Sequence, residues 1–181
     1  TLPLNGGVQT IASANLATVT LATPLPSSSG TSVNAGTTNY TLFSSTLTIT
    51  NRAVDLKAVT LKQIGSIPTD ALENIQLYVN GATVGSPISL SSDGSARFVL
   101  ATPYRLKSGD ILEARADVVK GSNRDFSFSL QNASDLVAVD SVYNVNSVVA
   151  GIPASTATVK ISSGTVSVSR DTTFNTTTVT G

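Results

Sequence analysis

The sequence predicts an all-β protein, built as an antiparallel β-sandwich. Two observations predict it. Ser, Thr, Asn, Gly and Val make up most of the 181 residues, whereas aromatic residues are 5% and charged residues 12%. Hydroxyl-bearing and β-branched residues lose freedom in helices and suit strands and turns. About nine short segments also alternate apolar and polar residues, with turn residues between them, as expected for a sandwich.

The clearest alternation lies between Ile111 and Leu130. Every second residue of Leu112–Val118 is apolar, and the same pattern returns in Phe126–Leu130 after a turn at Lys120–Asn123. A period of two is typical of a strand with one buried face and one wet face. Two such strands joined by a short turn that contains glycine predict an antiparallel hairpin.

The N-terminal half contributes three further strands. Leu16–Leu21 is a predicted strand with Ala17, Val19 and Leu21 on one face, and a Pro-, Ser- and Gly-rich loop follows it. Tyr40–Asn51 changes the phase of its apolar residues part-way, which predicts a bulge near Ser44-Ser45. Val54–Gln63 changes phase too, so we expect a second bulge or a strand that crosses between sheets.

Two turn sequences predict hairpins in the middle of the chain. Asn80-Gly81 separates Ile75–Val79 from Ala82–Val84, and Asn-Gly supplies the positive φ angles of a two-residue hairpin turn. Asp93-Gly94 separates two further apolar segments and predicts a second hairpin. Thr69–Asn74 is the best helix candidate, with room for one turn.

The remaining predicted elements are short. Asp135–Val145 is a strand pair or a bent strand, Val148–Pro153 is a linker, and Ala157–Ile161 and Thr165–Val168 are the last strands. We therefore divide the chain into an N-terminal extension or strand (1–15), a sandwich domain (16–150), and a linker with terminal strands (151–181).

The two ends of the chain resemble each other. Thr18–Leu21 matches Thr165–Val168, and Ile11–Ser13 matches Ile161–Ser163, at an offset of roughly one domain. The match is either an internal repeat or a coincidence of similar composition. Because an isolated strand leaves its backbone groups unpaired, residues 151–181 must pair with a neighbouring unit or begin a second repeat.

Four apolar residues in these last strands are the predicted pairing residues between subunits. They are Val159, Ile161, Val166 and Val168. Their pairing would add strands from one unit to another, the arrangement known as donor-strand complementation.

Composition argues against several function classes. The chain has no histidine or cysteine and a formal net charge of zero. It therefore lacks the commonest general base, the thiolate nucleophile and the basic groove of a nucleic-acid-binding protein. Apolar stretches are too short to span a membrane. We predict no catalytic residues, no metal, no cofactor and no enzymatic activity. The same composition predicts an extracellular or cell-surface protein.

Candidate modification and acid sites have ordinary alternatives. The sequons at Asn39, Asn132 and Asn175 mark glycosylation sites or arise by chance in an Asn/Ser/Thr-rich chain. Glu113 and Asp117 lie on one face of a strand about 13 Å apart, too far for a glycosidase pair. The other aspartates have no calcium-loop spacing, so turn capping and solvated faces are favoured.

A family resemblance rests on several segments between residues 75 and 142. They are I-Q-L-Y-V-N-G-A-T-V-G-S (75–86), S-A-R-F-V-L (95–100), L-K-S-G-D-I-L-E-A-R-A-D-V (106–118), F-S-F-S-L (126–130) and D-S-V-Y (140–143). This stretch resembles the Ig-like β-sandwich modules of tandem-repeat surface proteins in bacteria, including tiny episymbiotic ones. The resemblance covers under half of the chain. It implies an Ig-like fold, non-enzymatic fibres or stalks, and no catalytic residues.

These observations lead to three expected functions. The first is a structural subunit or repeat of an extracellular filament, pilus or cell-surface stalk, which pairs with copies of itself or with neighbouring repeats. The second is an adhesin or carbohydrate-binding module whose partners are host or cell-surface glycans. The third is a viral or phage tail or capsid protein. Assembly state distinguishes them.

Overall fold

The computed structural model describes residues 15–28 and 30–163 as two β-sheets packed against each other. The strands in chain order are β1 (Thr18–Leu21), β2 (Thr31–Asn34), β3 (Tyr40–Thr50), β4 (Val54–Gly65), β5 (Leu72–Val79), β6 (Ala82–Ile88), β7 (Ser95–Leu106), β8 (Ile111–Val118), β9 (Asp125–Leu130), β10 (Leu136–Asp140), β11 (Val148–Ala150), β12 (Ala154–Ser155) and β13 (Val159–Ser162). The predicted all-β sandwich is confirmed.

The strands are arranged in two sheets, each with a defined order. The first sheet runs β11-β1-β3-β8-β5-β6. In the second sheet, β7 pairs with one side of β4. Strands β10 and β9 pair with successive parts of its other side, and β9 continues the sheet to β13 and then β2. Most pairs are antiparallel, but β1 pairs with β11, and β13 with β2, in parallel. The sheets are therefore mixed rather than purely antiparallel.

The core is the apolar face of each sheet, selected by the period of two. Strand β8 buries every second residue from Leu112 to Val118, as predicted. Four phenylalanines are the largest side chains of the core, and Phe126 and Phe128 meet edge to face with ring centroids 6.1 Å apart. Each buried phenylalanine contributes about 2–3 kcal/mol of hydrophobic stabilisation. The other two of these four phenylalanines are Phe43 and Phe98.

The Asn80-Gly81 hairpin forms as predicted. Asn80 and Gly81 have φ angles of 51° and 78°, and they join β5 to β6 with Val79 opposite Ala82. Both positions need positive φ, which asparagine and glycine adopt at the lowest cost. The strongest local turn signal therefore gave the correct pairing.

The two other predicted hairpins are wrong. Strand β8 pairs with β3 and β5 in the first sheet, whereas β9 pairs with β4, β12 and β13 in the second. The turn at Asp93-Gly94 likewise connects β6 in the first sheet to β7 in the second. In both cases the connection crosses the sandwich, because consecutive amphipathic strands can face each other across the core as well as lie side by side.

Smaller differences concern local structure. The predicted helical turn at Thr69–Asn74 is wrong, because Leu72 already begins β5 and is buried opposite Val118. Register shifts occur in β3 between Thr41 and Phe43, slightly before the predicted bulge, and in β4 between Leu56 and Ala58. The predicted linker after residue 147 contains strand β11.

The chain crosses the described unit from one end to the other. We define the entry pole as residues 15–17, 51–53, 107–110 and 141–147, and the exit pole as residues 35–39, 66–71, 119–124 and 162–163. Strand β1 begins at the entry pole, where Thr18 lies opposite Thr50, the last residue of β3. Strand β13 ends at the exit pole, beside the ends of β2 and β8. The 11-residue strand β3 spans about 35 Å between them.

Candidate functional site

The entry pole is organised around the carboxylate of Asp140, the last residue of β10. Asp140 is fully buried. Its Oδ2 accepts hydrogen bonds from the Ala17 backbone N–H at 2.9 Å and from Arg52 Nε at 3.0 Å. Its Oδ1 accepts from the backbone N–H groups of Val142 at 2.9 Å and Tyr143 at 3.2 Å. One side chain thus connects the incoming chain, the β3–β4 turn and the loop after β10.

Two opposing effects set the acidity of this carboxyl group. Burial is the largest single effect and raises the pKa of Asp140. The N–H groups of Val142, Ala17 and Tyr143, together with Arg52, outweigh burial, so the pKa lies well below its usual range. A charged, fully hydrogen-bonded carboxylate is the stable form here.

Acid should therefore weaken this pole. Because the folded-state pKa of Asp140 is lowered, its contribution to the free energy of unfolding is complete above the unfolded pKa of about 4. That contribution is lost as the pH falls towards the lower, folded pKa. We expect urea denaturation between pH 7 and pH 2 to show a stability gap between the native chain and Asp140→Asn that narrows below about pH 4. A gap that stays constant down to pH 2 would contradict this account.

The loop after Asp140 presents apolar side chains to solvent. Val142 is 65% exposed, Tyr143 46%, Val145 45% and Val148 53%. We call these four residues the apolar rim. The Arg52 guanidinium lies 4.5 Å from the centroid of the Tyr143 ring, a cation–π contact that holds the ring in place.

Hydrogen bonds to β10 hold the rim segment despite its exposure. The N–H of Asn144 donates to the carbonyl of Asp140 at 2.9 Å, and the N–H of Asp140 donates to the carbonyl of Val145 at 2.8 Å. Ser147 donates through its N–H and its hydroxyl group to the carbonyl of Ala138. Four exposed apolar side chains within seven hydrogen-bonded residues make this segment a candidate contact surface.

The four predicted pairing residues fall in two groups. Val159 and Ile161 are buried in the core of their own sandwich, where β13 pairs with β9 and β2. Assigning these two residues to a neighbouring subunit is therefore a prediction that we correct: β9 and β2 leave a slot within the same chain that β13 fills. The domain boundary at residue 150 moves accordingly, since β12 and β13 complete this sandwich. Val166 and Val168 lie outside the described residues.

Two of the three predicted glycosylation sites are at the surface. Asn39 and Asn132 are exposed, which a modified asparagine requires, and Asn175 lies outside the described residues. The side-chain oxygen of Asn39 accepts a hydrogen bond from the hydroxyl group of Tyr78 at 3.3 Å. Glycosylation at these positions stays a prediction.

The acidic residues considered from sequence are engaged in separate local contacts. Glu113 accepts a hydrogen bond from Arg115 at 2.8 Å, and Asp117 binds the N–H of Asn39 and the amide group of Asn74, both at 2.8 Å. Among residues 15–28 and 30–163, no three acidic, histidine or cysteine side chains converge as metal ligands would.

A groove lies beside the first residues of β3. Its volume is about 530 Å³, and its lining includes Leu25, Pro26, Asn39, Tyr40 and Glu113. Its lining combines apolar side chains with a carboxylate and an amide, as small-molecule sites commonly do.

Sequence reasoning missed the apolar rim. The segment Val142–Val148 carries apolar residues at irregular spacing, and no period distinguishes a buried strand from an exposed loop there. The aspartate at the end of a strand was the one available signal, because a buried carboxylate draws neighbouring backbone N–H groups to itself.

Comparison with known proteins returned no match among family models, curated proteins or solved structures. The part of the chain that the structure describes contains no helix long and apolar enough to cross a membrane.

Proposed function

We propose that this chain is a structural unit of an extracellular filament or cell-surface stalk, in which units are joined end to end through their poles. The observation that carries the proposal is the path of the described residues, which begin at one pole with β1 and end at the opposite pole with β13. A unit of this kind extends an assembly by its own length each time it is added.

The apolar rim supports a joint at the entry pole. Residue 15 lies beside Arg52, whose guanidinium donates to the Asn15 carbonyl and stacks on Tyr143. If another unit preceded this one on the same chain, the chain would reach residue 15 at this pole. The exit pole of that unit would cover the rim, which would remove Val142, Tyr143 and Val145 from water.

The proposed joint differs from the one expected from sequence. Val159 and Ile161 fill their own core, so contacts between poles replace strand donation by β13. Pairing through Val166 and Val168 stays a prediction. Copies of the same chain, or neighbouring repeats, are the proposed partners in either case.

Self-association of the full chain tests the proposal. We expect sedimentation velocity and negative-stain electron microscopy of residues 1–181 to show elongated, end-to-end oligomers as concentration rises. Replacing the rim by Val142→Ser, Tyr143→Ser and Val145→Ser together should weaken association by at least about tenfold, because buried apolar residues near the centre of an interface dominate affinity.

The matched control is Val99→Ser. Val99 is as exposed as Val142 but lies on β7, away from the entry pole. Association should be unchanged by this substitution. A fusion of two full chains tests the case in which units are joined covalently. The link raises the effective concentration of one unit around the other to the millimolar range, so that a weak contact between poles can form. Monomers of the single chain, together with a freely bending fusion in small-angle scattering, would refute the proposal.

A second candidate function is glycan binding. The groove that contains Tyr40 and Glu113 favours it. Binding of the full chain on a glycan array, lost in Glu113→Gln and kept in the rim variant, would assign this function to the groove and separate it from assembly.

A further inference from the structure

The first and last strands of the described unit both lie inside their sheets. Strand β1 lies between β11 and β3, and β13 lies between β9 and β2. Each terminal strand therefore has one parallel and one antiparallel partner. Neither can leave the fold without breaking hydrogen bonds on both of its sides.

The direction of each terminal strand decides how tension acts on it. Strand β1 starts at the entry pole and runs towards the exit pole, so a pull on residue 15 away from the unit acts along the strand axis. The bonds that resist this pull lie across that axis. They include the N–H of Val148 to the carbonyl of Ala17 at 3.0 Å and the N–H of Ala22 to the carbonyl of Thr46 at 3.0 Å.

The same geometry holds at the other end. Strand β13 runs towards the exit pole, so a pull on residue 163 also acts along its axis. The N–H of Ile161 donates to the carbonyl of Arg124, and the N–H of Asn123 donates to the carbonyl of Ile161, both at 2.8 Å. On the other side, the N–H of Ala35 donates to the carbonyl of Ser162 at 3.1 Å.

Side chains reinforce both strands. Val19 and Leu21 of β1, and Val159 and Ile161 of β13, are buried in the core. Sliding either strand along its axis drags these side chains through the packed interior, which resists displacement because it is close-packed. At the entry pole, the bond between Asp140 and the N–H of Ala17 adds a charged contact next to the point of loading.

We propose that the sandwich is a force-bearing element, in which tension applied between residues 15 and 163 loads both terminal strands in shear. Bonds loaded in shear must stretch and break together over a short distance. Bonds loaded at one end of a strand pair open one at a time over a long distance. The same interaction energy therefore resists a larger force in shear. The biological setting of this inference rests on the proposed function, since a stalk or filament carries tension along its length.

Single-molecule force spectroscopy on the full chain tests the inference. The chain has no cysteine, so introduced cysteines define where the force acts. Asn15→Cys with Ser163→Cys applies force from pole to pole. Asn15→Cys with Lys107→Cys applies it between two positions of the entry pole, where β1 opens from β3 starting at Thr18. All three positions are exposed, and equal melting temperatures of the two variants would confirm equal folds.

We expect the mean unfolding force at one loading rate to be at least about twofold higher for the pole-to-pole variant, because forced unfolding follows the barrier along the pulled direction. Equal forces, or a lower force from pole to pole, would overturn the inference. The result is independent of self-association: a unit that resists tension but never assembles would refute the filament proposal alone, and one that assembles but unfolds at low force would refute this inference alone.

Discussion

Asp140→Asn should lower the melting temperature of the chain by roughly 5–10 °C, because the buried carboxylate accepts hydrogen bonds from three backbone N–H groups as well as from the partly exposed Arg52, and an amide leaves some of these donors without an acceptor. The substitution keeps the shape of the side chain. It replaces one acceptor oxygen by an NH₂ group that faces donors, and it leaves Arg52 without its carboxylate. Differential scanning calorimetry at pH 7 measures the change.

Asp70→Asn is the matched control for this prediction. Asp70 also pairs with a basic residue, Lys120, but both side chains are mostly exposed to water at the exit pole. Exposed ion pairs contribute little to stability, so the control should change the melting temperature by no more than about 2 °C. Equal shifts for the two substitutions would show that Asp140 does not organise the entry pole.

Gly151→Ala should destabilise the fold by about 2–4 kcal/mol, an effect of the size seen when a side chain is forced against backbone. Gly151 follows β11 and has a φ of 77°. A Cβ at this position would lie 2.5 Å from the carbonyl oxygen of Leu21. The end of β11 would have to move away from β1, which disrupts the parallel pair. Chemical denaturation measures the loss of unfolding free energy.

Gly109→Ala separates the two sources of this cost. Gly109 has a φ of 93°, but no atom lies within 4 Å of the position its Cβ would take. It should show only the backbone cost of positive φ, about 1–2 kcal/mol. If Gly151→Ala cost no more than Gly109→Ala, close approach of β11 to β1 would not be part of the fold's stability.

Local signals in the sequence predicted strands well and partners less well. Alternation in Leu112–Val118 and in Phe126–Leu130 identified both strands and the faces they bury. It did not reveal that the two strands lie in different sheets, because a period of two defines a buried face and not a neighbour within the sheet. The hairpin at Asn80-Gly81 was predicted correctly because a two-residue turn of this type fixes which residues of the two flanking strands pair.

Non-local pairing accounts for the other errors. Val148–Ala150 is too short to show a period, and it becomes a strand only because β1 offers a free edge beside it. Val159 and Ile161 were recognised as strand residues, but their partners β2 and β9 are distant in sequence. The exposed rim at Val142–Val148 could not be predicted from the sequence, because the exposure of an apolar residue depends on which surfaces the rest of the fold covers.

The pairing of β1 with β11 also constrains how the unit folds. Thr18 pairs with Val148, which is distant from it in the sequence. The first strand therefore cannot complete its pairing until residues close to the end of the unit have been synthesised. Loops this long close slowly, and proteins dominated by such contacts fold in milliseconds to seconds. During synthesis, β1 can pair with β3 early, but its other side stays unpaired until β11 has been made. The pair of β1 and β11 is therefore the last pair of the first sheet for which both strands are present during synthesis.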